Sequence, residues 1–278
     1  MKDQEITYEV EVIDEKNRKK QLYIPAERPI TLYLNNKELL TVMTLGMNTK
    51  SLIIGYLRNQ QLVSSLDDIE SIQIDWDVSA AAIKLKSSAS NFDRLMEKVT
   101  ITSGCGQGTM FGNLTADIEK FKLDSGLKIK QSVLLTIIDE VRRFNSIYKQ
   151  AGSVHGCSLF KDSKMLFYCE DVGRHNAVDA IAGHMWLNEI NGEDKIFYTT
   201  GRLTSEMVIK VAQMNISTLL SRSGITEMGL NVAKDTQVTL LGRAKGKHFL
   251  IYNGKDNIVF DAMPDPRPDG ASDVWKRR

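Results

Sequence analysis

Residues 195–252 read KIFYTTGRLTSEMVIKVAQMNISTLLSRSGITEMGLNVAKDTQVTLLGRAKGKHFLIY, and their pattern is the strongest indication of the fold class. Apolar runs that predict strands alternate here with amphipathic segments that predict helices: strand Lys195–Thr200, helix Ser205–Met214, strand Ile216–Ser221, helix Thr226–Lys234, strand Gln237–Leu241 and strand His248–Tyr252. Parallel strands need a long crossover between them, usually a helix. The alternation therefore predicts parallel crossovers and an α/β sheet.

The preceding sequence predicts a smaller α+β unit and the first elements of the α/β unit. The predicted elements are a hairpin over Thr31–Val42 turning at Asn35-Asn36, a helix capped by Asn48 or Thr49, two strands within Ile69–Lys86, a single helix over Lys130–Ala151, a strand pair near Val154–Phe160 and Lys164–Cys169, and a helix over Asn176–Gly183. We predict three regions: residues 1–125 as an N-terminal α+β domain with a frayed start, 126–260 as the α/β domain, and 261–278 as an extended tail that includes three of the five prolines.

Composition restricts the class of protein. The chain has 278 residues, 42% of them hydrophobic, and a formal net charge of +1, so its overall charge does not favour nucleic acid as a partner. No apolar stretch is long enough to span a membrane, and the polar start over residues 1–20 is unlike a secretory signal. The three cysteines form an odd, unpaired set, which is typical of reduced thiols in the cytoplasm. We therefore predict a cytoplasmic protein.

Three strand-to-helix junctions each carry an arginine and a glycine. They read DVGRHNAV (171–178), TTGRLTSEM (199–207) and SRSGITEM (221–228), with Arg174, Arg202 and Arg222 after the strands. The carboxyl ends of parallel strands lie at one edge of a sheet, where helix N-termini and arginines favour phosphate groups. The pattern predicts an anion site for a nucleotide or pyrophosphate, while surface turns with salt-bridged arginines are the alternative. Neither GxxxxGK[ST] nor GxGxxG occurs.

Cys105 lies in the glycine-rich segment TITSGCGQGTMFGN (100–113). A thiol acts as a nucleophile or sulfur carrier when it is accessible and can ionise, which a loop of small residues permits. An incidental loop residue is the alternative. Cys157 and Cys169 lie within apolar runs, so we expect them in the core.

Two further features are a potential pair of zinc ligands and a second basic segment. His155-Gly-Cys157 supplies too few ligands for zinc, and the HxE and PCxxC signatures of zinc deaminases are missing, so we predict no metal site. The segment RAKGKH (243–248) joins the last two strands. It could bind phosphates beside the arginines, or it could be a solvated turn.

The motifs EDVGRHNAVD (170–179), TGRLTSEMV (200–208), LLSRSGITEMGLNVA (219–233) and TLLGRAKGKHFLIY (239–252) resemble signature segments of the FdhD family, the formate dehydrogenase accessory sulfurtransferases. ERPITLYLNNKELLTVMTLG (27–46) and SLIIGYLRNQQLV (51–63) resemble that family's N-terminal pattern. The resemblance covers roughly residues 25–255.

The resemblance implies a function and a fold. The family takes persulfide sulfur from a cysteine desulfurase and delivers it to the molybdenum of bis-molybdopterin guanine dinucleotide, which formate dehydrogenase needs. Its C-terminal domain has a cytidine-deaminase-like α/β fold without zinc, and its members are typically homodimers. Carried over to this sequence, the persulfide thiol is Cys105, and the cofactor-binding stretch is Arg243, Ala244, Lys245, Gly246, Lys247 and His248. The sheet-edge prediction adds Arg174, His175, Arg202 and Arg222 to the cofactor-binding residues.

One position departs from the family pattern. The second cysteine of its CxxC loop is replaced by Gly108, which gives Cys105-Gly-Gln-Gly108. A single thiol is enough to hold a persulfide, because transfer needs one attack and one release. The sequence therefore leaves two hypotheses open: a sulfurtransferase that uses Cys105 alone, and a cofactor-binding chaperone that has lost sulfur transfer. A nucleoside deaminase is disfavoured by the missing zinc ligands.

Overall fold

The computed structural model describes residues 5–86, 118–123, 127–144 and 146–262. The first of these ranges contains a two-stranded sheet and a four-stranded sheet. Its elements are β1 (Thr7–Ile13), β2 (Lys19–Pro25), β3 (Arg28–Leu34), β4 (Lys37–Thr44), α1 (Thr49–Asn59), β5 (Ile69–Asp75) and β6 (Ala80–Leu85). Strands β1 and β2 pair with each other, and the larger sheet has the order β4-β3-β6-β5.

The predicted hairpin and strand pair of this region are confirmed. Strands β3 and β4 are antiparallel, and they turn at Asn35 and Asn36, whose φ angles of 47° and 65° suit a tight two-residue turn. The prediction of a frayed start is wrong for the residues that form β1 and β2. A short hairpin of alternating charged and apolar residues gives a weak signal, because neither of its faces is fully buried.

The remaining ranges form a six-stranded mixed sheet, and helices pack against it. The elements are β7 (Ile129–Lys130), α2 (Gln131–Arg143), α3 (Ile147–Ala151), β8 (His155–Lys161), β9 (Lys164–Asp171), α4 (Arg174–Leu187), β10 (Lys195–Thr199), α5 (Ser205–Gln213), β11 (Thr218–Ser221), α6 (Glu227–Asp235), β12 (Thr239–Lys245), β13 (His248–Asn253) and β14 (Ile258–Val259). The short strands β7 and β14 pair separately.

The strand order of the large sheet is β13-β12-β11-β10-β8-β9. Strands β10, β11 and β12 are parallel, whereas β8 is antiparallel to both of its neighbours and β13 is antiparallel to β12. Strands β9, β10, β11 and β12 therefore all end at the same edge of the sheet. We call it the carboxyl edge, and define it by Asp171, Thr199, Ser221 and Lys245.

The prediction of one helix over Lys130–Ala151 is wrong, because two helices occupy this range. Helix α2 ends where the backbone of Phe144 becomes extended, and α3 begins at Ile147. The Glu170 carboxylate accepts hydrogen bonds from the N–H groups of Ile147 and Tyr148, at 2.8 and 2.9 Å, and so caps a new helix. The helical periodicity continues across the break, and this cap comes from a distant strand, so the sequence did not reveal the break.

The expected cap of α1 is also wrong. Asn48 precedes the helix in a left-handed conformation and its side chain makes no capping hydrogen bond. The hydroxyl group of Thr49 donates to the carbonyl of Gly46 at 2.9 Å instead. Polar residue type alone indicated the position of the helix start, but not the way in which it is capped.

Helices α1 and α4 join the two halves of the chain at very close range. A Cβ atom on Gly55 would lie 1.7 Å from the carbonyl oxygen of Asp179, and one on Gly183 would lie 1.9 Å from that of Ser51. One hydrophobic cluster contains buried residues from both halves, including Ile30 and Phe197. The predicted boundary near residue 125 stays a prediction. No helix within the described ranges is long and apolar enough to cross a bilayer.

Candidate anion site at the carboxyl edge of the sheet

The carboxyl edge brings together the three arginines that the sequence placed after strands. Arg174 is the first residue of α4, while Arg202 and Arg222 lie in the loops that follow β10 and β11. The N–H group of Arg222 donates to the carbonyl of Thr199 at 3.0 Å, which ties the two loops together. Both Arg202 and Arg222 are exposed to solvent. The predicted position of all three at one edge is confirmed, whereas their role as cofactor ligands stays a prediction.

Arg174 is the unusual member of this set because its side chain is buried. It is 9% exposed, and within the described ranges its guanidinium has no ion pair and its Nε has no hydrogen-bond partner. A Cβ atom on Gly201 would lie 3.2 Å from Cβ and 3.4 Å from Cδ of Arg174, so the arginine packs directly over this glycine. A buried charge without a counter-ion is costly, and an anion bound at the edge would remove that cost.

The surroundings of His155 show that this region is electropositive. His155 begins β8 at the carboxyl edge and is half-buried. Burial lowers its pKa, and electrostatic interactions with Arg174, His175 and Arg202 lower it further. The imidazole is therefore mainly neutral near pH 7, and it can donate or accept a hydrogen bond without adding charge.

Three helices point their N-termini at this edge, and they differ in capping. The N-cap residues of α4 and α5, Gly173 and Thr204, make no side-chain capping hydrogen bond. At α6, the hydroxyl oxygen of Thr226 accepts a hydrogen bond from the N–H of Gly229 at 3.1 Å. The first turns of α4 and α5 thus offer N–H groups and the positive ends of two helix dipoles.

Side-chain hydrogen bonds hold the loop after β10 in place. The hydroxyl oxygen of Thr199 accepts from the N–H of Gly201 at 3.0 Å, and the hydroxyl of Ser221 donates to the carbonyl of Gly201 at 2.6 Å. Both serine and threonine are fully buried. The backbone beneath Arg174 is therefore fixed rather than free to adapt.

Arg222 is positioned by an aromatic ring. Its guanidinium carbon lies 5.2 Å from the centre of the Tyr148 ring, a cation–π contact that leaves the outer face of the guanidinium exposed. Tyr148 belongs to α3, whose start is capped by Glu170. The unpredicted break before α3 is thus the feature that brings this tyrosine to the carboxyl edge.

The segment RAKGKH covers the end of β12 and the turn into β13 at the same edge. The N–H of Arg243 donates to the carbonyl of Ser223 at 2.8 Å, and its Nη2 would lie 3.8 Å from a Cβ atom on Gly224, beside the loop that carries Arg222. Gly246 turns the chain with a φ of 62°, between the exposed Lys245 and Lys247, and the half-buried His248 follows. Ala244 is 2% exposed and packs in a hydrophobic cluster, so its predicted role in cofactor binding stays a prediction.

The three cysteines differ in what the structure shows of them. Cys105 lies outside the described residues. Cys157 and Cys169 are buried, which confirms the prediction that both belong to the core. Burial raises the pKa of the Cys157 thiol to about 12, although a hydrogen bond with Thr199 opposes the shift, and burial also raises the pKa of Cys169. Neither thiol forms an appreciable amount of thiolate at neutral pH.

Within the described ranges, no three His, Cys, Asp or Glu side chains are grouped as metal ligands.

Sequence reasoning missed a cluster of buried charges next to the edge. The cluster consists of Asn59, His175, Asp179, Glu206 and Lys210, and we call it the buried ion cluster. Lys210 Nζ lies 2.9 Å from Asp179 Oδ2 and 3.5 Å from Glu206 Oε1, while Asn59 donates to Asp179 Oδ1 at 2.7 Å. The sequence contains a signal for it, since Glu206 and Lys210 are charged residues one helical turn apart and the residues between and after them, 207–209 and 211–212, are apolar.

His175 belongs to this cluster rather than to the exposed edge. It is 5% exposed, and its Nδ1 lies 3.1 Å from Glu206 Oε1, without the alignment of a hydrogen bond. Burial opposes the charge on Lys210, but Asp179 and Glu206 outweigh it and raise the pKa of the ammonium group. The cluster lines one side of a cavity of about 250 Å³, and its opposite wall is formed by β3, β4 and α1.

Comparison with known proteins identifies the family. A family model described as the FdhD/NarQ family matches residues 25–259. The chain belongs to this family. The sulfur carrier protein FdhD of Wolinella succinogenes is 30% identical over 241 residues, which cover 87% of this chain and 84% of that protein. The sulfur carrier protein FdhD of Listeria innocua is 28% identical, with 85% and 91% covered.

A solved structure agrees with the fold of this FdhD/NarQ family member. The crystal structure of a formate dehydrogenase accessory protein from Desulfotalea psychrophila superposes with a TM-score of 0.72, at 24% identity, covering 91% of this chain and 99% of that one. The mixed α/β architecture with several sheets is therefore shared with it. The family resemblance read from the sequence motifs is confirmed.

Proposed function

We propose that this chain is a sulfur carrier in the maturation of formate dehydrogenase, its client. The support is its membership of the FdhD/NarQ family and its similarity to relatives named sulfur carrier protein FdhD over most of their length. The fold is shared with a formate dehydrogenase accessory protein.

In this proposal, Cys105 carries the sulfur. Its thiolate attacks the outer sulfur of a persulfide on a cysteine desulfurase, a new S–S bond forms on Cys105, and the donor cysteine leaves as a thiolate. The molybdenum of bis-molybdopterin guanine dinucleotide then accepts this sulfur, so the cofactor is a substrate of the protein. Cys157 and Cys169 cannot replace Cys105, because both are buried and their pKa values are raised.

We further propose that the carboxyl edge binds the phosphate groups of this cofactor. The observation that carries the proposal is the buried guanidinium of Arg174, which has no counter-ion among the described residues. Arg202, Arg222 and the segment 243–248 add positive charge along the same edge. The edge therefore fits an anionic ligand, while His175 lies deeper, in the buried ion cluster.

Three finer features belong to the same proposal. The strand order β9-β8-β10-β11-β12, with β8 antiparallel, is compatible with the cytidine-deaminase-like topology that the resemblance implies. The protein works in the cytoplasm, and it does so as a homodimer. Sedimentation of the purified protein tests the dimer, since a monomer at all concentrations would contradict it.

Mass spectrometry tests the sulfur step. The protein is incubated with a cysteine desulfurase and cysteine, and we expect one added sulfur on the peptide that contains Cys105. Cys105→Ala should remain unmodified, whereas Cys157→Ala should gain the sulfur as the unmodified chain does. Sulfur found on Cys157, or loading of Cys105→Ala, would overturn the assignment.

The replacement of the second CxxC cysteine by Gly108 favours one alternative, a cofactor chaperone without sulfur transfer. It predicts nucleotide binding at the carboxyl edge with no persulfide on Cys105. Complementation of an accessory-factor deletion decides between the two, because Cys105→Ser should fail as a sulfur carrier and succeed as a chaperone.

A further inference from the structure

The turn that carries Arg174 is built around one buried carboxylate. Asp171, the last residue of β9, is 2% exposed. Its Oδ1 accepts hydrogen bonds from the N–H of Gly173 at 3.0 Å and from Nδ2 of Asn176 at 2.7 Å. These two bonds span the residues that connect β9 to α4. The chain therefore has a fixed shape where α4 begins.

The same carboxylate also contacts the other half of the chain. Its Oδ2 accepts from the hydroxyl of Thr44 at 2.5 Å and from the N–H of Leu45 at 3.2 Å, at the end of β4. Asn176 makes a parallel connection, because its Nδ2 donates to the carbonyl of Met43 at 2.7 Å as well as to Asp171. We call Asp171 and Asn176 the turn clamp. The turn clamp holds the first turn of α4 against the end of β4.

The turn clamp leaves little room for movement of the turn. A Cβ atom on Gly173 would lie 2.8 Å from Nδ2 of Asn176, so the side chain of Asn176 packs directly on the turn. Arg174 in its turn packs over Gly201, in the loop after β10, whose backbone is also fixed by side-chain hydrogen bonds. The position of Arg174 is therefore set between two fixed stretches of backbone.

The carboxylate of Asp171 does not neutralise Arg174. Within the described ranges it forms no ion pair, and all four of its hydrogen-bond donors are neutral groups. Burial raises the pKa of Asp171, although these hydrogen bonds oppose the shift. A carboxylate that balanced the guanidinium would contact it directly, as Asp179 contacts Lys210 at 2.9 Å. The contacts of Asp171 instead fix the backbone, and they leave the positive charge of Arg174 for another partner.

We propose that Asp171 is a positioning residue for the anion site, because it fixes the start of α4 so that Arg174 stays over Gly201 at the carboxyl edge. Asn176 is its partner in this role. The functional part of the inference rests on the proposed binding of phosphate groups at this edge. The geometric part rests only on the contacts of the turn clamp.

A charge effect and a positioning effect of Asp171 have opposite signs. Asp171→Ala removes a carboxylate from the edge, so a pure charge effect would strengthen the binding of pyrophosphate. If Asp171 positions Arg174, the same substitution should weaken pyrophosphate binding by about tenfold, measured by calorimetry on the full chain. Asp171→Asn keeps an acceptor oxygen for the turn and should bind within about threefold of the unmodified chain. Stronger or unchanged binding by a folded Asp171→Ala protein would overturn the proposal.

The pKa of His155 gives a readout that a loss of stability alone would not change. His155 is the partner of Asp171 across β8 and β9, and its interaction with Arg174 lowers its pKa. Loss of the negative charge of Asp171 would lower that pKa further, whereas displacement of Arg174 would raise it towards its ordinary value. NMR titration of Asp171→Ala should therefore show a rise. An unchanged or lowered pKa of His155 would overturn the proposal.

Asn176→Ala is the second variant and provides the test should Asp171→Ala fail to fold. It changes no charge, and Asn176 is only partly buried. We expect pyrophosphate binding to weaken by about threefold and the pKa of His155 to rise. Asn188→Ala is the matched control, because Asn188 donates to the carbonyl of His184 at 2.8 Å at the exposed end of the same helix. Equal effects of the two asparagine substitutions would overturn the proposal.

The two readouts distinguish this inference from the proposed function. If the unmodified chain binds no pyrophosphate, the anion site is wrong, and the pKa of His155 in the variants still decides whether the turn clamp positions Arg174. If the unmodified chain binds pyrophosphate and neither Asp171→Ala nor Asn176→Ala changes the affinity, the anion site stands and the positioning role is wrong.

Discussion

Two buried cations lie on neighbouring helices of this fold, and their surroundings are opposite. Lys210 of α5 is 1% exposed and lies between two carboxylates, at 2.9 and 3.5 Å. Arg174 of α4 is 9% exposed and has no counter-ion among the described residues. A buried charge with internal partners is a part of the folded core, whereas one without a counter-ion is costly in the folded state. Lys210 is therefore structural, and Arg174 is the residue at which the proposed anion site can be tested.

The largest expected effect comes from breaking the structural cluster. Lys210→Met keeps the volume of the side chain but leaves Asp179 and Glu206 buried without their cation. We expect the free energy of unfolding to fall by about 3–5 kcal/mol, measured by urea denaturation. Lys161→Met is the control, because Lys161 forms an exposed, solvent-screened pair with Asp194 at 2.9 Å, so its loss should change the free energy of unfolding far less. Equal effects of the two substitutions would remove the distinction on which the comparison depends.

Arg174→Met should have the opposite effect on the free energy of unfolding. The folded protein loses a buried, unpaired charge, so its free energy of unfolding should stay the same or rise. Binding of pyrophosphate should weaken by about 1.5–3 kcal/mol, which calorimetry measures directly. A variant that is strongly destabilised and still binds pyrophosphate would show that Arg174 has an internal role instead.

Loss of the side-chain cap of α6, the third helix at the same edge, should have a smaller effect on stability. Thr226 caps α6 with its own side chain, so Thr226→Ala should lower the free energy of unfolding by about 1 kcal/mol. Pyrophosphate affinity should not change, because α4 and α5, and not α6, have N-termini without side-chain caps. Weaker binding in this variant would extend the anion site to α6.

The smallest effect concerns His155, whose pKa is lowered by burial and by electrostatic interactions with Arg174, His175 and Arg202. A histidine with a lowered pKa binds fewer protons in the folded state than in the unfolded state. Its contribution to stability therefore rises with pH through the ordinary value, about 6.5. NMR titration of Arg174→Met should show the pKa of His155 moving up towards that value. An unchanged pKa of His155 would mean that the charge of Arg174 does not act on it, in contradiction to this arrangement.

Much of the α/β half could be predicted from the sequence, because its strands are short apolar runs separated by helices. The arginines at 174, 202 and 222 could be assigned to one edge for the same reason: parallel strands must end together. The break before α3 could not be predicted, since it depends on Glu170, which lies more than twenty residues away at the end of β9. The role of Cys105 stays a prediction from the family resemblance.

The order of strands and helices, and hence the set of side chains that reach the carboxyl edge, follows from the local sequence pattern. The pairing of the buried charges depends on the packing of distant segments. Lys210 meets Asp179 across 31 residues and Asp179 meets Asn59 across 120, while Arg174 meets no carboxylate among the described residues. Local periodicity encodes which side of an element is buried, but the partner of a buried charge comes from another segment, which only packing brings near.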